Sequence, residues 1–192
     1  MSLNNIKREI TQHPTNAWAK DRGYQPIYTA SVLAKLMIVG QAPGRKAQES
    51  HIPWNDASGD TLRDWLGISR DEFYDEDKVA LVPMDFFYPG KGAHGDLPPR
   101  KDFAPLWHPR IIAEMPNIQL TLLIGSYAQK YYLGDKAERT LTDTVKNYNQ
   151  YLPEFLPLVH PSPLNFRWRS KNPWFEDEIV PHLRKLVQQI LT

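Results

Sequence analysis

Four short apolar runs limit this chain more than any other feature: Val32–Val39, Val79–Val82 with an extension to Phe87, Leu120–Ile124 and Phe155–Val159. Each is strand-length, bounded by turn residues and apolar without alternation, the pattern of strands covered on both faces. Segments of helical character lie between them, at Thr61–Trp65, Arg110–Met115, Ser126–Tyr132 and Leu141–Tyr148. Strands alternating with helices predict an α/β fold, a three-layer α/β/α arrangement around a four-stranded parallel sheet. The last segment is the clearest helix, with Trp174, Phe175, Ile179, Val180, Leu183, Leu186, Val187 and Ile190 on one stripe. Asn172 is its expected cap, Pro173 suits its first position, and Pro181 should kink it.

With 192 residues, one domain spanning 1–192 is the economical reading, its Pro-punctuated first 30 residues a candidate wrapping arm. The chain has 17 prolines, so many ordered turns are expected, and no cysteine. Disulfides, iron–sulfur clusters, thiolate zinc sites and cysteine nucleophiles are thereby excluded. The absence of an apolar membrane-length stretch and of a secretory leader pattern suggests a cytoplasmic protein with no membrane partner. The formal charge of +1 makes any polyanion site a local patch.

In open parallel sheets ligands bind beyond the carboxyl ends of the strands, so the residues following each run matter most. Gly90, Gly92 and Gly95 match a dinucleotide fingerprint, but Asp96-Leu97-Pro98-Pro99-Arg100 cannot open the helix that would hold a pyrophosphate. No phosphate-loop or serine-elbow motif occurs, and the six histidines show no metal-ligand spacing, so no metal or cofactor is expected. His13, His108 and His182 read as structural. His160 ends a buried run and starts a Pro-stiffened loop, where a donor would be fixed and aimed. Arg167, Arg169 and Lys171 around Trp168 suit phosphate contact with stacking, or equally a solvated basic face.

Three of these loops resemble a known family. Gly40-Gln41-Ala42-Pro43-Gly44, Gly125-Ser126-Tyr127-Ala128-Gln129-Lys130 and His160-Pro161-Ser162-Pro163-Leu164-Asn165 are similar, in order, to motifs of the uracil-DNA glycosylase superfamily. The resemblance implies a base-excising N-glycosylase acting without cofactor on DNA that carries uracil or a related lesion; a monomer is expected. It gives His160 the donor role at the uracil carbonyl, the Gln41 backbone N–H a second donor, and Leu164 the wedge that fills the vacated stack. Ser162 and Pro163 become backbone-pinching residues, with Ser126 a further DNA contact, to which the basic stretch around Trp168 adds Arg167 and Arg169 as candidates. Ala42, Pro43, Gly44, Trp54 and Tyr88 become base contacts, Trp54 as the stacking face, with His51 a weaker candidate.

Two departures stand out. The water-activating Asp of the classical first motif is Ala42 here, and the second strand's end has Asp85 where a base-reading Asn is expected. Asp85 is thus a candidate reader or catalytic carboxylate, with Glu49, Asp56 and Asp60 as other acids within reach of the first loop. The alternative reading is a nucleic-acid or nucleobase-binding protein of the same fold without catalysis. A free-nucleoside hydrolase is a third, for which a wedge such as Leu164 has no use.

Overall fold

In the computed structural model, which describes residues 2–192, the apolar runs become the strands of one sheet. The strands are β1 (Leu36–Val39), β2 (Val79–Leu81), a small hairpin of β3 (Lys91–Gly92) and β4 (Gly95–Asp96), then β5 (Leu120–Ile124) and β6 (Phe155–Leu158). The main sheet is parallel throughout, in the order β2-β1-β5-β6, with Leu36 facing Val79 on one side and Leu120 on the other. The helices are α1 (Leu3–Gln12), α2 (Ala17–Asp21), α3 (Arg45–Ser50), α4 (Ala57–Leu66), α5 (Arg70–Tyr74) and α6 (Phe103–Ile112), followed by α7 (Gly125–Leu133), α8 (Leu141–Lys146), α9 (Phe166–Lys171) and α10 (Val180–Leu191).

The period-2 alternation of side chains divides the core into two layers. Met37, Val39, Ala80 and Leu123 join Ile6 and Ile10 of α1, Phe103, Trp107 and Ile111 of α6, and Ala128 of α7. Leu36, Ile38, Val79, Leu122 and Leu158 meet Leu62 and Trp65 of α4, Phe73 of α5, Val145 of α8, and Leu183 and Val187 of α10. Both faces of each strand are therefore dry, and the expected three-layer α/β/α architecture holds.

Several boundaries differ from expectation for local reasons. The first run loses Val32 and Leu33 to an exposed turn, because Thr29 pairs antiparallel with Leu81 and the chain must turn before joining β1. The second run stops as strand before Pro83, although Met84 and Asp85 still donate to the carbonyls of Gly40 and Gln41. The helix expected at Arg110–Met115 starts at Phe103, since Pro105 and Pro109 mask its periodicity.

The final helix opens as a π-turn over Phe175–Ile179 before α10, with Pro181 in α10's first turn. Proline has no N–H for an intrahelical bond and its ring crowds the carbonyl four residues back, so the widened turn accommodates it. Asn172 does not cap with its side chain: its amide donates to the Trp168 carbonyl at 2.8 Å. Gly90, Gly92 and Gly95 lie in the β3–β4 hairpin rather than before a helix. No described helix is long and apolar enough to cross a membrane.

Candidate active site

The order β2-β1-β5-β6 sends successive crossovers to opposite sides of β1, and a crevice opens where they diverge, past the strand's carboxyl end. A cleft of about 650 Å³ occupies that place. One wall is the loop after β1, Gly40 to Gly44; another is the loop after β6, with His160, Ser162, Leu164 and Asn165. Pro53, Trp54, Asp56 and Ser58 enter from the turn before α4, Pro83 from beyond β2, and His94 to Asp96 from the hairpin.

His160 is held from both ends of its residue. The Ser162 N–H donates to its Nδ1 at 3.2 Å, and the Asn165 amide donates to its carbonyl at 2.8 Å. Burial pushes its pKa below the usual histidine value, against the opposing pull of the Asp56 charge. The ring is therefore neutral near pH 7, and with Nδ1 accepting, the proton sits on Nε2. The result is a fixed neutral N–H donor on the cleft wall.

Trp54 lies beside it, ring centroids 5.8 Å apart and planes inclined by 33°. Its backbone is left-handed, φ 57°, a strained state for a bulky residue. The surroundings impose it. The Tyr74 hydroxyl donates to the Pro53 carbonyl at 2.8 Å, and Arg63 reaches the Trp54 carbonyl at 3.5 Å while ion-paired to Asp60 at 2.5 Å. A Cβ on Gly59 would lie 1.8 Å from that carbonyl oxygen, and one on Gly40 would lie 2.7 Å from the indole. Both positions thus need glycine for close approach, and the indole lies directly over the end of β1.

The structure gathers Gln41, Ala42, Pro43, Gly44, Trp54, His160, Ser162 and Leu164 around the one cleft. Pro163 shares the short 3₁₀ turn with Leu164, whose side chain is 86% exposed at the rim. Other expected residues are placed elsewhere. Asp85 is corrected from base reader to buried anchor: Arg100 grips its two oxygens at 2.7 and 2.8 Å, and the N–H groups of Phe87 and Arg100 donate to them as well. A carboxylate with its lone pairs so occupied has little capacity left for a base or water.

Tyr88 is buried behind the wall, its N–H on Gln48 and its hydroxyl 3.3 Å from Asp96, so it supports the hairpin rather than lining the cleft. Ser126 is exposed on the first turn of α7, and the same motif's Gln129 instead ties strand ends together through the Leu123 and Leu158 carbonyls. Arg169 is ion-paired to Glu176 at 3.1 Å in a separate cleft between α4 and α10. Arg167 is exposed on α9, its guanidinium over the Phe166 ring. His51 is exposed at the end of α3.

Sequence reasoning missed the hairpin residues His94 and Asp96, because a two-residue strand pair leaves no periodic signal. Asn165 had a signal in the motif itself, next to Leu164. Asp56 stood among several acids, with nothing local to single it out. Among the described residues no group of three or more His, Cys, Asp or Glu is placed to hold a metal ion.

With this geometry established, comparison with protein families matches residues 26–184 to the model described as the uracil DNA glycosylase superfamily. The match takes in every strand and every loop of the cleft and begins after α2.

Proposed function

The chain belongs to the uracil DNA glycosylase superfamily, and on that footing we propose that it hydrolyses the N-glycosidic bond of uracil or a related damaged base flipped out of DNA. The observation that carries this reading is the neutral His160 with its proton on Nε2, fixed beside Trp54 in a cleft at the sheet's switch point.

A stacked base is inaccessible, so it must leave the duplex at a cost of a few kcal/mol and be held in a shaped pocket. The cleft has room for a base and sugar, and the Trp54 indole offers a flat face of the kind on which bases stack. As the bond breaks, its electron pair leaves with the base and charge gathers on a ring oxygen. A donor already oriented toward that oxygen stabilises it without reorganisation. His160 supplies one such donor and the Gln41 backbone N–H the second. Burial suits this role, because a neutral imidazole donates its hydrogen bond without adding a fixed cation beside the uncharged base. Ser162 and Pro163 then contact the strand backbone, and Leu164 occupies the gap left in the stack.

The test is single-turnover incubation with labelled oligonucleotides carrying uracil, hypoxanthine, xanthine or hydroxymethyluracil, followed by alkali. Strand breaks at one lesion are expected, and His160→Ala should slow them by about 10²–10³, the effect of losing one preorganised donor. Binding without breaks at any lesion would favour the non-catalytic reading, for which Ala42 in place of an acid is the supporting observation. An unchanged rate in His160→Ala would remove that residue from the mechanism.

A further inference from the structure

Hydrolysis requires water at the sugar carbon, where positive charge develops as the base departs, and a carboxylate there both stabilises that charge and accepts the water's proton. Ala42 cannot do this. Of the acids near the first loop, Glu49 is exposed and bound to Arg45 at 2.8 Å, Asp60 is bound to Arg63, and Asp85 is occupied by Arg100. Asp96 is exposed on the hairpin and shares the Tyr88 hydroxyl.

Asp56 differs from all of these. It lines the cleft and is half-buried. Its Oδ1 accepts the Gly59 N–H at 2.9 Å as the cap of α4, and among the described residues its Oδ2 has no protein hydrogen bond. That free oxygen faces the first loop, 3.9 Å from where a Cβ on Gly44 would be. Gly59 fixes both groups in this turn: it donates to Asp56, and its missing side chain admits the Trp54 carbonyl. The acid and the stacking face are thus set relative to each other by one rigid turn.

We infer that Asp56 is the catalytic carboxylate of this cleft, binding the attacking water and taking its proton, in place of the acid absent from the first loop. The inference rests on the glycosylase reading above. In the step, the bond from C1′ to the base nitrogen breaks and its electron pair leaves with the base. The water oxygen bonds to C1′, and Asp56 takes the proton and returns it to solvent, while the base anion gains one there. The net change is addition of water, giving free base and an abasic sugar.

Asn and Ser cap helices about as well as Asp, so Asp56→Asn and Asp56→Ser separate charge from cap. Single-turnover cleavage of a uracil-containing oligonucleotide should fall about 10²–10⁴-fold in both variants. The melting temperature and the affinity for the same oligonucleotide with a 2′-fluoro uridine should be unchanged, and Glu49→Gln should cleave at the wild-type rate. Cleavage by Asp56→Asn within a few-fold of wild type would overturn this role alone. So would a loss of affinity that accounts for the whole loss of rate. No cleavage by the wild type at any lesion would overturn the glycosylase reading and this role with it.

Discussion

His108 shows how far a single side chain can couple the site to the core. It is fully buried on α6, with Nε2 2.9 Å from the Pro83 carbonyl and Nδ1 2.6 Å from the Tyr132 hydroxyl. The carbonyl can only accept, so Nε2 carries the proton and Tyr132 donates to Nδ1. This fixes Pro83, which lines the cleft. Burial pushes the pKa down from 6.5 to about 4. The unfolded chain therefore binds a proton below pH 6.5 that the folded chain refuses, and stability present above that pH is lost as pH falls toward 4. At about 1.4 kcal/mol per pH unit the loss approaches ~3 kcal/mol. Urea unfolding at intervals between pH 7 and 4 should show it. His108→Gln should be less stable at pH 7, with a shallower fall in that window, and an equal fall in both proteins would refute the assignment. His108 was legible as structural in sequence, being a lone histidine among apolar residues. Asp85 was not, because its partner Arg100 reaches it across an intervening hairpin, and no local pattern distinguishes a saturated carboxylate from a free one.

The elements divide between those specified locally and those specified by contacts distant in the chain. β5 matched its apolar run end to end, since Leu120–Ile124 is buried on both faces and bounded by turns. The extent of α6 was hidden because its prolines interrupt the signal that Phe103, Ala104, Trp107 and Ile111 would otherwise give. α1 is a further case. It precedes the family match, yet Ile6 and Ile10 are fully buried, and Glu9 pairs with Arg110 of α6 at 2.6 Å. Its ten residues are too few to be stable alone, so its helicity depends on that packing. Ile10→Ala should cost about 2–5 kcal/mol, the range for truncating a buried isoleucine, whereas Arg8→Ala on the exposed side should cost under about 0.5 kcal/mol. Denaturant midpoints measure both. A cost below 1 kcal/mol for Ile10→Ala would mean that α1 is not integrated with the sheet.

At the scale of the whole molecule, the difficulty is to engage a polyanion with a net charge of only +1. So small a net charge gives little long-range attraction, phosphate contacts must come from a local patch, and shape must contribute more of the discrimination. The loop after β6 has that shape. Leu164 is 86% exposed and Phe166 54% exposed, next to the cleft that holds His160 and Trp54. An apolar side chain presented to water on a Pro-stiffened turn is stabilised when it enters a base stack, by up to about 1.5–3 kcal/mol for a fully buried leucine. A duplex has a stack to refill after base extrusion; a single strand has no complementary stack to restore. Leu164→Ala should therefore slow excision from a duplex by tenfold or more, since about 1.4 kcal/mol is a factor of ten, and alter excision from a single strand by less than about twofold. Parallel single-turnover rates on the two forms of one oligonucleotide give the ratio directly. Equal losses on both would make Leu164 a contact to the extruded nucleotide itself, and no loss on either would leave the exposed turn without a part in base extrusion.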